Sequence, residues 1–531
     1  MRTLLGEHEV GEGDGSPTDE GSEDAGGTGV TGARLPSWGP TVAVAVVAAL
    51  GVVLRLYSRS NLWLDEALSV NIAGLAVGDL LDALRHDCHP PFYYLLLHYW
   101  MELFGEGDTT VRLLSSVFGV AALPLAWIAG GRLAGRTGAR WALVVAALSP
   151  YAIRYSTEAR MYSLVMLLVL GGYLLLDDAL RRPTPLRLGG LAVISGLLLL
   201  SHYWSFWLLA AVAVLLMWRW RTIPDERRAT GRVLGALAAG GVLFLPWLGG
   251  FLYQAQHTGT PWAGPVRPLA VVEITLQDLG GGEFHEGKLG GAVLLILSLL
   301  ALFVVQTGRR QMVFDIRTAP TVRREAAVVA LTAVLGCVAG YATSSTFQSR
   351  YAAVFIPLFL LVVAVGITRV PSWGRLVVGG AVVLLSLAGV GWVQYYQRTQ
   401  SAEVAKAIGD RAQPGDIVVY CPDQLGPGFS RETPDDLVEL VYPTLTQPDR
   451  VDWVDYAERN AQADARQVAA DVRRRAGDNA VFVVWRSGYE TFGRQCEELV
   501  NELDTGTGET IVWLDEGAYF EPANVQWYPP A

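Results

Sequence analysis

Cysteine is scarce in this chain of 531 residues, which has four. Cys88, Cys337, Cys421 and Cys496 form no CxxC pair and no metal-ligand spacing, which argues against a zinc-finger fold and a dithiol redox centre. A Cys421–Cys496 disulfide stays open if that part of the chain lies outside the cell. Lysine is scarcer still, with Lys288 and Lys406 the only lysines among 41 basic residues. The basic residues form no nucleic-acid footprint. No Walker, dinucleotide-binding or hydrolase-elbow motif occurs with the strand and helix each needs. The internal repeat expected of many transporters is missing as well. The N-terminus lacks the basic start and early apolar core of a signal peptide, so the first apolar run is expected to remain as a span.

What is present is apolar. Hydrophobic residues make up 51% of the chain and fall in runs of roughly twenty, the length that crosses a bilayer. The expected fold is an all-α polytopic membrane protein with a small α/β domain at its end. The net charge of -10 divides into -6 for residues 1–37, +8 for residues 38–397 and -12 for residues 398–531. The first part, rich in Gly, Glu, Asp and Ser, cannot bury enough surface to order itself and reads as a disordered cytoplasmic tail. The second holds about eleven spans, from Pro40–Tyr57 to Leu376–Tyr396, with arginine clusters in every second loop as the positive-inside rule requires. The run His89–Phe104 is short and opens on two prolines, so within the first external loop (58–110) it reads as a re-entrant or surface-lying helix. That parity puts residues 398–531 outside the cell. There, helices are expected over Ser401–Arg411, Ala463–Arg475 and Tyr489–Leu503, and strands over Asp416–Tyr420 and Ala480–Trp485.

With this topology the unusual polar residues sort to the outer side. Asp65-Glu66 follows the first span, among Leu62, Trp63, Leu64 and Leu68. A bare Asp-Glu pair is most often a solvated helix start; in this setting it can also take a proton from an acceptor hydroxyl. Tyr155, Glu158, Arg160 and Tyr162 lie beside a span start, where an interfacial belt of tyrosine with snorkelling arginine is the plain alternative to a phosphate site. Arg350-Tyr351 opens another span at the same level, and His202 ends one as a belt residue or an acceptor contact. His257, Glu283 and His285 share a loop without helical ligand spacing, so no metal and no cofactor is expected.

Leu64-Asp65-Glu66 resembles the acidic motif in the first external loop of GT-C glycosyltransferases, in particular family 39, which groups protein O-mannosyltransferases, lipid A aminoarabinose transferases and actinobacterial mannosyltransferase-like proteins. His89-Pro-Pro-Phe-Tyr-Tyr is similar to their basic-Pro-Pro segment, with His where several relatives have Lys. Arg112-Leu-Leu-Ser115, Tyr155-Ser-Thr-Glu158-Ala-Arg160-Met-Tyr162 and Arg350-Tyr351 with Pro357 match further patterns. The resemblance covers the chain to about Gln397 and implies a GT-C fold, a polyprenyl-phosphate sugar donor and inverting transfer to a glycan, lipid or protein hydroxyl. On that footing Asp65 is the expected general base and Glu66 its catalytic partner. His89, Arg160 and Arg350 bind the donor phosphate; Glu158, Tyr155, Tyr162, Tyr351 and His202 support them. Physics favours the same donor, since no cytoplasmic nucleotide sugar is supplied at an outer face. Transfer of another sugar such as arabinose, a lipid-linked sugar transporter and a non-catalytic scaffold are the alternatives.

Overall fold

The computed structural model describes residues 39–261, 263–307, 311–317, 321–343 and 345–530. The acidic tail expected over residues 1–37 lies outside the described residues. The chain is mostly helical, and each expected apolar run falls mainly on helix. Six helices are long and apolar enough to cross a membrane, and Gly39–Arg55, Pro185–Ser201 and Ile356–Arg369 are shorter apolar helices. Seven helices organise the part that matters for the site: α1 (Gly39–Arg55), α2 (Leu64–Ala73), α3 (Val77–His86), α4 (Phe92–Phe104), α5 (Asp108–Leu148), α6 (Pro150–Ser156) and α7 (Tyr162–Arg181).

The 41 residues of α5 are two helices joined at Ala134 and Gly135, where Gly135 takes φ 63°. The two halves fold back on each other: a Cβ on Gly130 would lie 2.3 Å from that of Ala142, so only glycine permits the approach. Arg132, beside this turn, pairs with Asp177 and Asp178, and Asp177 in turn meets Arg181 and Arg324. Arginines from separate basic loops therefore gather at one end of the bundle. Arg112, near the start of α5, lies twenty residues of helix away, about 30 Å at 1.5 Å per residue.

After the helix Ser372–Tyr395 the chain enters strand. A hairpin, β1 (Val304–Thr307) with β2 (Gln311–Phe314), precedes this region, which holds β3 (Gln397–Thr399), β4 (Ile417–Cys421), β5 (Val438–Val441), β6 (Val481–Trp485), β7 (Glu509–Val512), β8 (Tyr519–Glu521) and β9 (Asn524–Tyr528). The five-stranded sheet has the order β5-β4-β6-β9-β7, parallel in its first half and antiparallel in its second, while β3 pairs separately with β8. Ile417-Val-Val-Tyr-Cys421 and Val481-Phe-Val-Val-Trp485 are continuous apolar runs, as strands covered on both faces must be. Ile417, Val419, Val481 and Val483 pack on one side with the helices Ala465–Ala476 and Gln495–Leu503, and Val418, Tyr420, Phe482 and Val484 on the other beside Val404 and Ile408. Leu68 of α2 joins the first of these cores.

The expected strands over Asp416–Tyr420 and Ala480–Trp485 and the helix over Ala463–Arg475 match observed elements to within a residue or two. The helix expected over Tyr489–Leu503 forms only from Gln495, and β5, β7, β8 and β9 were not foreseen. Cys421 and Cys496 are bonded, with Cα atoms 5.6 Å apart.

Candidate active site

Asp65 and Glu66 occupy the first turn of α2, about 100° apart around its axis. They must therefore face different surroundings, and they do. Asp65 lines a cleft of about 720 Å³ between loops of the helical body and the C-terminal region. Glu66 does not line it; its side chain is fully buried.

Glu66 sits in a cage of donors. Arg112 binds it through Nε and Nη2, both at 2.7 Å, Arg398 donates from 3.2 Å, and the Ala159 amide donates from 2.9 Å. Burial by itself would raise this carboxyl, but Arg112 and Arg398 outweigh it and hold Glu66 below the usual carboxylate range. Arg398 also donates to the Thr157 carbonyl and hydroxyl, and Arg112 to the Ser60 and Asn61 carbonyls. One buried carboxylate thus ties together α2, α5, the segment after α6 and β3.

Asp65 keeps different company. Arg350 lies 3.0 Å from its Oδ2 and Arg160 4.0 Å from the same atom. Arg160 is held by the Ser69 hydroxyl at 2.9 Å and the Tyr94 hydroxyl at 3.2 Å, and its Nη2 is 2.6 Å from His89 Nε2. Because a guanidinium only donates, His89 Nε2 accepts there and Nδ1 carries the proton toward Asp87, 2.9 Å away. Burial and Arg160 lower the His89 pKa against the opposing pull of Asp87, so the ring is a neutral relay between Asp87 and Arg160. Asp87 is held at about 2: burial opposes its charge, and the contacts with His89, Arg160 and the Tyr94 hydroxyl together outweigh it.

The remaining expected residues set these groups in place from behind. Glu158 accepts from the Trp63 indole at 2.8 Å, and the Arg350 guanidinium lies 5.6 Å from the Trp63 ring centre. Burial raises the Glu158 carboxyl, with Arg398 and Arg154 pulling the other way. Tyr155 donates to Asp278 at 3.0 Å; Asp278 also takes the Ser349 hydroxyl, next to Arg350. Tyr162, His202 and Tyr351 form an aromatic row with centroids 5.8 and 5.5 Å apart, the last two lining the cleft. The cleft therefore brings together Asp65, His89, Arg160, His202, Arg350 and Tyr351, while Glu66, Tyr155, Glu158 and Tyr162 stand outside it. His257 pairs with Asp455, and among the described residues no cluster of three metal-ligating side chains occurs.

Sequence reasoning placed Asp87 among the outer-side polar residues and left the end domain open as a packing or acceptor-binding module. It assigned no site role to Ser69, Asp87, Arg398 or any residue on the C-terminal side of the cleft. Ser69 follows Asp65 by one helical turn and Asp87 precedes His89 by two residues, both readable in hindsight. Nothing local marks Arg398, which is brought to Glu66 from 332 positions away.

Residues 88–249 match the family described as dolichyl-phosphate-mannose-protein mannosyltransferase. No curated protein matches the chain in sequence. Among solved structures, ArnT from Cupriavidus metallidurans bound to undecaprenyl phosphate is similar at 14% identity, covering 92% of this chain and 98% of that one with a TM-score of 0.60. The apo form of that ArnT has the same identity and coverage, at a TM-score of 0.61. The Archaeoglobus fulgidus oligosaccharyltransferase tethered with an acceptor peptide is more distant, with 11% identity, coverage of 92% and 74%, and a TM-score of 0.49. A helical body with a small sheet domain at its end gives this chain the fold of ArnT, and residues 88–249 match the mannosyltransferase family within that body.

Proposed function

We propose that the protein transfers a sugar, mannose in the first instance, from a polyprenyl-phosphate donor to a hydroxyl acceptor at the outer face of the membrane, with inversion. The observation that carries this reading is the convergence of two arginines, Arg160 and Arg350, on Asp65 in one cleft. Two cations beside one carboxylate suit a reaction that must hold a phosphate and accept a proton within a few ångströms. The ArnT relative carries undecaprenyl phosphate, a lipid phosphate of the kind this cleft would take.

Asp65, as the base, removes the proton of the acceptor hydroxyl as its oxygen attacks the anomeric carbon. The bond from that carbon to the phosphate oxygen breaks, and the phosphate leaves with the electron pair. One displacement inverts the centre. Arg160 and Arg350 stabilise the charge that grows on the leaving phosphate. They pair with Asp65 in the free protein, so a bound donor phosphate competes for them and frees the carboxylate for its role as base. His89 positions Arg160, and Glu66 locks the scaffold under α2.

The domain boundaries at residues 38–397 and 398–531, a cytoplasmic N-terminus and an external end domain belong to the same reading. The Cys421–Cys496 bond supports the last of these, since disulfides persist in oxidising compartments. The test is to incubate purified wild-type and Asp65→Asn protein with labelled polyprenyl-phosphomannose and an envelope extract. Label transfer and polyprenyl-phosphate release by wild type alone are expected; equal transfer by Asp65→Asn protein would remove Asp65 from the mechanism. Transfer only from a phosphoarabinose donor would replace mannose, and no transfer from any donor would point to transport or scaffolding.

A further inference from the structure

The helical and C-terminal sides of the cleft carry different groups. The helical side carries Arg160 and Arg350 with Asp65 and Asp87. On the C-terminal side the cation is Arg486, already 3.2 Å from Glu516, and its neighbours include Gln424, Tyr489 and Glu521. Glu521, on β8, is only 4% exposed, yet its Oε2 makes no hydrogen bond of good geometry. It stands against the Leu64 amide, one residue before Asp65, and the Thr399 hydroxyl. The mechanism above does not use it.

We infer that this side of the cleft is the acceptor subsite, that it takes an uncharged hydroxylated group such as a sugar hydroxyl, and that Glu521 positions the accepting hydroxyl beside Asp65. The inference rests on the transfer reading and adds the class of acceptor to it. A neutral carboxyl both donates and accepts, which matches a hydroxyl. A phosphorylated acceptor would instead meet Glu516 on this side, with Arg486 already engaged by it. Burial pushes Glu521 up to about 8, aided by Asp65 and opposed by Arg486 and the Thr399 and Leu64 contacts. Tyr489 also faces it. Glu521 is thus uncharged at neutral pH and ionises as pH rises through about 8.

The experiment uses the full chain in lipid nanodiscs. It measures acceptor KM with a neutral mannoside and its phosphorylated counterpart, and separately the binding of polyprenyl phosphate. Glu521→Ala should raise the mannoside KM about tenfold through the lost hydrogen bond while polyprenyl-phosphate affinity holds. Glu521→Gln should raise KM about threefold or less and remove the increase in KM that wild type shows above pH 8. The phosphorylated mannoside should be the poorer acceptor for wild type. An unchanged KM in Glu521→Ala, or a preference for the phosphorylated acceptor, overturns the inference and leaves donor binding and transfer standing. Failure of wild type to bind polyprenyl phosphate sinks the transfer reading and the inference with it.

Discussion

Two adjacent carboxylates with opposite fates are the clearest lesson at the scale of single residues. Glu66 is buried between Arg112 and Arg398, and removing one member of such a group leaves uncompensated charge. Glu66→Ala should therefore cost about 3–5 kcal/mol of stability and appear as a lower Tm or loss of monodisperse protein. Asp65→Asn, at a partly open position, should keep the wild-type Tm while losing transfer. Arg350→Ala removes a cation from the proposed phosphate site and should weaken polyprenyl-phosphate binding by roughly ten- to a hundredfold, measured by titration, if a charged hydrogen bond contributes about 1.5–3 kcal/mol. His89 adds a pH dependence. Its pKa lies below the ordinary 6.5, so Nε2 goes on accepting from Arg160 through neutral pH and loses that capacity only in more acid solution. A kcat/KM profile should fall on the acid side of 6.5, and His89→Gln, which cannot take the proton, should flatten that limb.

Among the elements, α2 is the hinge of the arrangement. Trp63 enters it in extended conformation, Asp65 turns to the cleft, Glu66 to the buried cage and Leu68 to the core of the sheet domain. A helix places neighbours about 100° apart, so one turn can serve three surroundings. The Cys421–Cys496 bond closes a loop with a sequence separation of 75 residues between β4 and the helix Gln495–Leu503. Loop-closure entropy assigns such a link about 4 kcal/mol. Cys496→Ser should thus lower the unfolding midpoint of the protein in a denaturant series run without reductant, and a midpoint equal to wild type would show that the link adds no stability.

For the whole molecule, two ends of the bundle carry different chemistry. One holds the arginines of the basic loops around Asp177; the other holds the cleft. In the proposed orientation the first is the cytoplasmic end, as the positive-inside rule would have it. A reporter enzyme active only outside the cell should therefore work when fused after Ala531 and fail when inserted in the turn at residues 182–184. Activity in the reverse pattern would invert the proposed orientation.

Apolar run length, the alternation of arginine-rich loops and the clustering of Asp65, His89, Arg160 and Arg350 on one side were legible from sequence. Each depends on local composition or on counting spans, and the chain order preserves both. The central strands of the end domain were readable for the same reason, because Ile417–Cys421 and Val481–Trp485 are unbroken apolar runs. The edge strands β5 and β7 were not, since half-exposed strands carry a weaker pattern and take their identity from the neighbour they pair with. The division of labour between Asp65 and Glu66, the capture of Glu66 by Arg398 and the placement of Glu521 against Leu64 were decided by tertiary structure alone. Which face of a helix turns inward, and which distant strand meets it, is settled by packing between segments hundreds of residues apart, and no local pattern in the chain encodes that choice.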